Sequence, residues 1–275
     1  AAKEMRDRVA ALLPDIDTTS IVLRTFHSLG ATLLRRFGVT IGLSSDFTIY
    51  DDDDLLQLLL SSAGDVGGEE STQRKKYLRE IMKCISKAKD LGMGPNDSNL
   101  SSITEDPNFR TLFRSYEEAL SRTGNVDFAD LIKKAKELLE IDNNAREYCH
   151  RRFKLVMVDE YQDSNREQFN FLRLFVGEDT QLVVVGDDDQ SIYSFRGAEV
   201  ENILTFSKSF GNVREIKLEK NYRSTDEILA PAAALIRHNS ARHDKDIVSA
   251  DGKHGQKPIV MCSMSGVLEA KRVTN

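Results

Sequence analysis

The first half of the chain follows a helical hydrophobic pattern. Apolar residues recur at the three- and four-residue spacing of amphipathic helices, with Pro or Gly where the pattern stops. This spacing predicts helices over residues 3–13 and 26–37, and a short apolar run between them predicts a strand over residues 21–24. From residue 40 to residue 152 the period is almost wholly helical, so an all-helical segment is predicted there.

The pattern changes after Phe153, where short β-branched runs alternate with helical segments. Continuous apolar runs of this length are typical of strands buried in a parallel sheet. Strands are predicted over residues 154–158, 181–185, 213–218 and, as one more strand, 258–262. Helices are predicted over residues 165–175, 199–210 and 225–238. The predicted fold class is therefore α/β, interrupted early by an all-helical insertion.

Two adjacent carboxylates, Asp159 and Glu160, follow the first of these apolar runs directly. Parallel strands present such residues at the carboxyl edge of the sheet, where ligands bind in α/β folds. In nucleotide hydrolases the first such acid holds Mg²⁺ and the second orients the attacking water. An Asp-Glu pair at this position is also typical of a helix N-cap or a solvated turn, and that alternative stays open.

The second apolar run ends at Gly186, which permits a tight exit from the strand. Gln190 follows as a neutral side chain able to bond a phosphate oxygen or a water. Tyr193, Phe195 and Arg196 then place aromatic faces beside a cation, the chemistry of a stacking platform for single-stranded nucleic acid. The alternative is an acidic turn followed by two aromatic residues that are buried in the core.

The third run leads into Tyr222 and Arg223, a ring able to stack on a base and a guanidinium able to pair with phosphate. In the alternative interpretation, Ser224 or Thr225 caps the next helix and Arg223 is solvated.

Composition indicates a globular protein, with 40% hydrophobic and 30% charged residues. No apolar run is long enough to span a bilayer and no secretory signal opens the chain, so no membrane partner is expected. The three cysteines lack paired or metal-type spacing, which favours a reducing, intracellular compartment, nuclear in a eukaryote and cytoplasmic in a bacterium. The net charge of −6 argues against binding nucleic acid through bulk positive charge.

These segments, in this order, resemble superfamily 1 helicases of the UvrD/PcrA/Rep type. Residues 159–163 (Asp-Glu-Tyr-Gln-Asp) resemble the Walker B motif, residues 186–198 the third motif and residues 218–224 the fourth. Residues 25–28 (Thr-Phe-His-Ser) match a DNA-contacting motif, and residues 126–132 match the segment that returns from the helical insertion.

The resemblance implies a RecA-like motor domain built from residues 1–39 and 153–212, a helical insertion over 40–152, and the start of a second RecA-like domain over 213–275. It also implies an ATP-dependent DNA helicase or translocase, moving 3′ to 5′, that acts in DNA repair, recombination or replication. The implied cofactors are ATP and Mg²⁺. The implied partners are single-stranded DNA and single-strand/duplex junctions, and no protein partner is indicated.

The resemblance assigns a role to each matching residue. Asp159 would hold Mg²⁺, Glu160 would act as general base, and Gln190 would sense the γ-phosphate. Tyr222 would stack on the adenine, and Arg223 would stabilise charge that develops in the transition state. The residues implied to contact DNA are Thr25, Phe26, His27, Tyr193, Phe195 and Arg196.

The chain departs from the family in lacking Gly-x-x-x-x-Gly-Lys-Ser/Thr, the loop that cradles phosphates, and the later motifs. We therefore expect a piece of a longer protein, unstable and inactive in isolation. Phe195 replaces the Trp often found in the third motif, a mild departure because Phe still stacks on a base. Two other functions stay open: a non-catalytic single-strand-binding module without ATPase activity, and a helicase–nuclease subunit.

Overall fold

A computed structural model describes residues 2–64, 72–192, 199–240, 242–250, 252 and 254–274. The chain divides into two compact units, Ala1–Ile203 and Leu204–Asn275. Within the described ranges, no helix combines the length and the apolar character that crossing a membrane requires.

The described part of the first unit is mostly helical with one small sheet, so its class is mixed α/β. Its strands are β1 (Leu155–Val158) and β2 (Gln181–Val184). Its helices are α1 (Ala2–Leu12), α2 (Phe26–Phe37), α3 (Asp52–Ser62), α4 (Thr72–Asp90), α5 (Phe109–Thr123), α6 (Asp130–Ile141), α7 (Asn143–Arg152), α8 (Arg166–Phe175) and α9 (Glu201–Leu204), which ends at the unit boundary. The helices predicted over residues 3–13, 26–37 and 165–175 and the helical character of 40–152 are confirmed.

Strands β1 and β2 pair in parallel, with Leu155 opposite Gln181 and Val158 opposite Val184. The ladder continues past the strands, because the backbone N–H of Val185 donates to the carbonyl of Val158 at 2.8 Å. Both strands were predicted from their apolar runs, and both are confirmed as strands. Their predicted burial is wrong, because Leu155 is 54% and Met157 67% exposed and no residue of either strand is fully buried. Their parallel register brings the residues that follow β1 and β2 to the same edge of the sheet.

The second unit is described by itself. Its helices and strands are α10 (Phe206–Ser209), β3 (Lys220–Asn221), α11 (Asp226–Ile236), β4 (Val248–Ser249) and α12 (Gly266–Thr274). Strands β3 and β4 form a two-residue parallel pair, with Lys220 opposite Val248 and Asn221 opposite Ser249. The helix predicted over residues 225–238 is confirmed as α11.

Three predicted strands are wrong, those over residues 21–24, 213–218 and 258–262. In the described part of the chain the sheets consist of β1 with β2 and of β3 with β4, and these three segments pair with neither. An apolar run becomes a strand only where a neighbouring strand accepts its backbone hydrogen bonds, and the run itself does not specify that neighbour. The helix predicted over residues 199–210 is also corrected, because it forms as two short helices, α9 and α10, separated at Thr205.

Among the residues described in the first unit, the buried apolar side chains form two cores. The first core lies among α2, α6, α7 and α8 and includes Leu34, Leu138 and Phe171, each 0% exposed. The second core lies among α3, α4 and α5 and includes Leu59, Leu78 and Phe113. The predicted insertion over residues 40–152 is therefore divided between two cores, since α6 and α7 pack into the first.

Helices α2 and α6 approach each other closely at Gly30. A Cβ atom at Gly30 would lie 2.5 Å from the backbone carbonyl oxygen of Leu131. Only glycine therefore allows this crossing, which places the start of α2 beside the turn that precedes α6.

A buried ion cluster joins the two cores. Lys89, at the end of α4, is 1% exposed. Its Nζ lies 2.9 Å from Glu117 Oε1, 2.6 Å from Asp127 Oδ2 and 2.7 Å from Asp130 Oδ1. The hydroxyl of Tyr116 donates to Asp127 Oδ2 at 2.6 Å. We call these five residues the Lys89 cluster.

Three carboxylates share one ammonium in the Lys89 cluster, and their pKa values reflect this. Burial alone would lower the pKa of Lys89, but Asp130, Asp127 and Glu117 together raise it above its ordinary value. Burial opposes ionisation of Asp127, yet Lys89 and hydrogen bonds hold its pKa below the usual range. Burial and the neighbouring carboxylates raise the pKa of Asp130. The cluster therefore depends on Lys89 staying charged.

Replacing Lys89 by Met should destabilise the first unit by about 3–5 kcal/mol, because it leaves buried carboxylates without a counter-charge. Hydrogen exchange of the α4 and α5 amides would measure this as faster exchange. The exposed Lys83 on the same helix supplies the control, Lys83→Met, which should change little. Equal exchange in both variants would contradict a structural role for the cluster.

Ionisation of Asp90 should make the folding stability depend on pH. Burial, with nearby Asp127, raises its pKa to about 6, above the model-peptide value of 3.8. A folded-state pKa above the unfolded one means that the charged form opposes folding, and that the cost is relieved as pH falls through 6. Asp90→Asn should therefore stabilise the protein by about 1 kcal/mol at pH 8, discounted for partial exposure.

That advantage should shrink as the pH is lowered to about 4, measured by denaturant unfolding of both proteins at each pH. The control, Glu80→Gln, removes an exposed carboxylate from the same helix. A stabilisation by Asp90→Asn that is the same at both pH values would contradict the prediction.

Candidate functional site

The candidate site lies at the carboxyl edge of the β1–β2 sheet. Asp159 and Glu160 follow β1, and Gly186 and Asp187 follow Val185, the first residue after β2. Both side chains of the acidic pair are exposed, and the Glu160 backbone N–H donates to Asp159 Oδ1 at 3.0 Å. The predicted delivery of two carboxylates to a sheet edge is thus observed.

Glu160 has an uncommon backbone conformation, with φ 50° and ψ 42°, in the left-handed region. For a residue with a side chain this conformation costs about 1–2 kcal/mol. Hydrogen bonds on either side hold it: the Tyr161 N–H donates to the Val185 carbonyl at 3.0 Å, and the Asp163 N–H donates to the Glu160 carbonyl at 2.9 Å. Strained backbone of this kind clusters at active sites, which supports a functional role for Glu160.

The Asp-Glu pair does not form the side-chain helix cap that one alternative requires, whereas its exposed side chains are compatible with the other alternative, a solvated turn. A 3₁₀ turn, Tyr161–Asp163, follows it, and neither side chain makes a capping bond to that turn. The next helix, α8, is capped instead by Asn165, whose side chain accepts from the Gln168 N–H at 2.9 Å.

Gln162 connects the two strand ends. Its Nε2 donates to Glu160 Oε2 at 2.8 Å, and its Oε1 accepts from the Asp187 backbone N–H at 3.0 Å. Asp187 Oδ2 in turn accepts from Gln190 Nε2 at 2.6 Å. The structure therefore brings Asp159, Glu160 and Gln190 together at one sheet edge through two hydrogen-bonded neighbours.

Exposed carboxylate oxygens at this edge suit a hard cation such as Mg²⁺, which prefers oxygen ligands. Asp159 uses Oδ1 for the Glu160 N–H, and its carboxylate is otherwise exposed. A second acidic group, formed by Glu117, Asp127 and Asp130, also has metal-like spacing. The ammonium of Lys89 already contacts all three carboxylates, so we interpret this group as a structural ion cluster.

The second unit contains Tyr222 and Arg223 directly after β3. Tyr222 is 73% exposed, and Arg223 is exposed too. The side chain of Asn221 shapes this turn, because its Oδ1 accepts from the N–H groups of Arg223 at 2.9 Å and Ser224 at 2.7 Å. Both predicted side chains are thus accessible, and their roles stay predictions.

Residues 25–28 form the start of α2. Thr25 is the N-cap residue, and its hydroxyl accepts from the Ser28 N–H at 3.3 Å. The ring of Phe26 packs against the first core, edge-on to Phe171 with ring centroids 6.4 Å apart. The DNA contact predicted for Phe26 stays a prediction, and in this structure its ring serves packing.

His27 forms a stacked pair with Phe128, with ring centroids 3.9 Å apart and an interplanar angle of 17°. Burial lowers the pKa of His27 to about 4, so the imidazole is neutral at pH 7. A neutral ring offers stacking and hydrogen bonding and no positive charge for phosphate.

Sequence reasoning missed Phe128 as an individual residue. Its ring is 60% exposed although it stands in the turn between two buried aspartates, Asp127 and Asp130. The sequence signal was weak: Phe128 is an aromatic residue in a polar turn just before a helix. Its proximity to His27 of the motif at residues 25–28 is visible only in the structure. The other predicted DNA contacts, Tyr193, Phe195 and Arg196, lie outside the described residues.

Comparisons with known proteins show which family the sequence resembles. The family model described as UvrD/REP helicase N-terminal domain matches residues 1–211. DNA helicase II of Escherichia coli (strain K12) is 36% identical over 275 residues, covering 100% of this chain and 38% of that protein. ATP-dependent DNA helicase PcrA of Leuconostoc citreum is 37% identical over 257 residues, covering 93% of this chain and 34% of that protein.

A third relative is ATP-dependent DNA helicase Rep of Escherichia coli (strain K12), 34% identical over 275 residues, 100% of this chain and 40% of that protein. The chain thus spans well under half the length of these curated relatives. Because the family model covers most of its 275 residues, this chain belongs to the UvrD/REP helicase family, in which it matches the N-terminal domain.

Proposed function

We propose that this chain is part of an ATP-dependent DNA helicase or translocase that couples ATP hydrolysis to movement along single-stranded DNA. The observation that carries the proposal is the sheet edge where Asp159, the strained Glu160 and Gln190 are joined by hydrogen bonds. Its similarity to proteins named DNA helicase II, PcrA and Rep supports the same activity.

The fold proposed for the complete protein is a pair of RecA-like domains, with residues 1–39 and 153–212 in the first, residues 40–152 as its helical insertion, and residues 213–275 opening the second. We propose movement from 3′ to 5′ and action at single-strand/duplex junctions during repair, recombination or replication. The proposed compartment is the one that holds the DNA, inside the cell.

ATP and Mg²⁺ are the proposed cofactors, and bound Mg²⁺ supplies positive charge beside the phosphates. The chain's own residues do the rest. Asp159 offers a carboxylate to the cation. Glu160 accepts a proton from the attacking water or orients it, which its exposed carboxylate permits. Gln190 hydrogen-bonds the γ-phosphate through an amide that adds no charge.

The second unit is proposed to contribute Tyr222 and Arg223. An exposed phenol ring suits stacking on adenine, and an exposed guanidinium suits a phosphate on which negative charge grows in the transition state. Both assignments rest on the similarity of residues 218–224 to the fourth motif of the family.

The proposed single-strand contacts begin at the stacked rings of His27 and Phe128, beside the exposed Thr25. Bases stack on aromatic faces regardless of sequence, and such stacking needs less positive charge than wrapping a duplex. This agrees with the net charge of −6. Phe26, Tyr193, Phe195 and Arg196 complete the proposed contact set.

Replacing Glu160 by Gln in the complete protein should lower kcat for ATP hydrolysis by about 10²–10⁴-fold while ATP binding is retained. The amide keeps the size of the side chain and removes its capacity to accept a proton. Hydrolysis would be followed by phosphate release and binding by a fluorescent ATP analogue.

Glu178→Gln, at an exposed position before β2, is the control and should leave hydrolysis unchanged. Undiminished hydrolysis by Glu160→Gln would remove Glu160 from the catalytic role. A complete protein that binds single strands yet hydrolyses no ATP would favour the non-catalytic binding module instead.

Replacing Phe128 by Ala should weaken binding to oligo(dT) by about 1–3 kcal/mol, the usual contribution of one base–aromatic stack. Fluorescence anisotropy of a labelled oligonucleotide at fixed salt measures this loss. Ile141→Ala is a matched control, because Ile141 is also 60% exposed and lies at the end of α6. Equal affinity of the two variants for oligo(dT) would show that Phe128 does not stack on a base and only packs against His27.

A further inference from the structure

Gln162 is a neutral side chain that is only 1% exposed, and both ends of its amide are in use. Its NH₂ group donates to Glu160 Oε2, the carboxylate proposed to act on water, at 2.8 Å. Its carbonyl oxygen accepts from the backbone N–H of Asp187 at 3.0 Å. One buried side chain therefore contacts the ends of both strands.

The contact with the second strand end requires Gly186. A Cβ atom at Gly186 would lie 2.5 Å from Gln162 Oε1 and 3.2 Å from the Gln162 backbone nitrogen. Any other residue there would displace the amide or the backbone. Gly186 thus allows the exit from β2 to pass directly against Gln162.

From Asp187 the bonds continue to Gln190. The Asp187 side chain accepts from the Asp189 N–H at 3.1 Å through Oδ1 and from Gln190 Nε2 at 2.6 Å through Oδ2. The Gln190 N–H also donates to the Asp187 carbonyl at 2.9 Å. Residues 187–190 therefore form one hydrogen-bonded turn, and Gln162 binds the first residue of that turn.

We propose that Gln162 is a positioning residue that links the Glu160 carboxylate to the turn at residues 187–190, so that the arrangement of that turn sets the orientation of Glu160. This inference rests on the proposed function, since it makes Gln162 the connection between ATP hydrolysis and the segment that follows Gln190. An amide suits this position because it donates at one end and accepts at the other.

The test compares Gln162→Glu and Gln162→Met in the complete protein. The carboxylate of Gln162→Glu keeps an acceptor for the Asp187 N–H but replaces the donor to Glu160 by an acceptor. Gln162→Met keeps approximate size and removes both bonds. Gln168→Glu is the matched control, because its carboxylate still accepts from the Asn165 N–H in the α8 capping box.

ATP hydrolysis would be measured with and without oligo(dT), giving kcat, KM for ATP and the ratio of stimulated to basal rates. We expect both Gln162 variants to lose about tenfold to a hundredfold in stimulated kcat, with KM for ATP changed by less than about threefold. The stimulation ratio should fall in both and stay at the wild-type value in Gln168→Glu. A merely structural residue would lower both rates together and leave the ratio unchanged.

A wild-type stimulation ratio in both Gln162 variants would overturn the inference while the proposed function stands. Failure of both variants to fold, seen by thermal unfolding, would overturn the inference as well, because Gln162 would then be a structural residue. If only one variant folds, its stimulation ratio alone decides the outcome. A wild-type protein that shows no ATP hydrolysis stimulated by single strands would overturn the proposed function first.

Discussion

The charge on Lys89 is the constraint on which the arrangement of the first unit depends. Lys89 lies near the end of α4, which packs in the second core. Its ammonium binds carboxylates from α5, from the turn before α6 and from the first residue of α6, and α6 packs in the first core. Moving each charged group from water into the protein interior costs several kcal/mol. Close ion pairs with good geometry must offset that cost. Three contacts below 3 Å and the Tyr116 hydroxyl meet this requirement. The cluster thereby fixes where the two cores meet.

The same cluster determines where the aromatic surface lies. Asp127 accepts from the Asp130 N–H at 2.8 Å and from Lys89, so both ends of the turn carrying Phe128 are anchored in the interior. Gly30 lets α2 approach α6 closely, which brings His27 against the Phe128 ring. The partly buried ring of His27 and the exposed ring of Phe128 thus meet because buried residues on either side hold their backbones close together. The surface proposed for DNA is a consequence of the packing beneath it.

The sequence predicts most helices and the strands β1 and β2 well, because amphipathic spacing and apolar runs ending in acids are local signals. It mispredicts residues 21–24, 213–218 and 258–262, because strand formation depends on a partner elsewhere in the chain. The location of Asp159, Glu160 and Gln190 at the sheet edge could be predicted, because each follows a strand closely in the sequence. The roles of Phe128 and Gln162 could not be predicted from the sequence. The ring of Phe128 stacks on His27, and the amide of Gln162 binds Asp187, and both partners are distant in sequence.

The Lys89 cluster and Gln162 are both buried polar connections, and their energies suit them to different tasks. Losing one partner of a buried ion pair costs about 3–5 kcal/mol, so the Lys89 cluster should persist through any working cycle. A neutral hydrogen bond contributes a net of only about 0.5–1.5 kcal/mol, which ligand binding is able to outweigh. A charged residue in place of Gln162 would hold Glu160 too firmly or repel it. A neutral amide therefore suits a position where the orientation of the carboxylate proposed to act on water is to be adjustable.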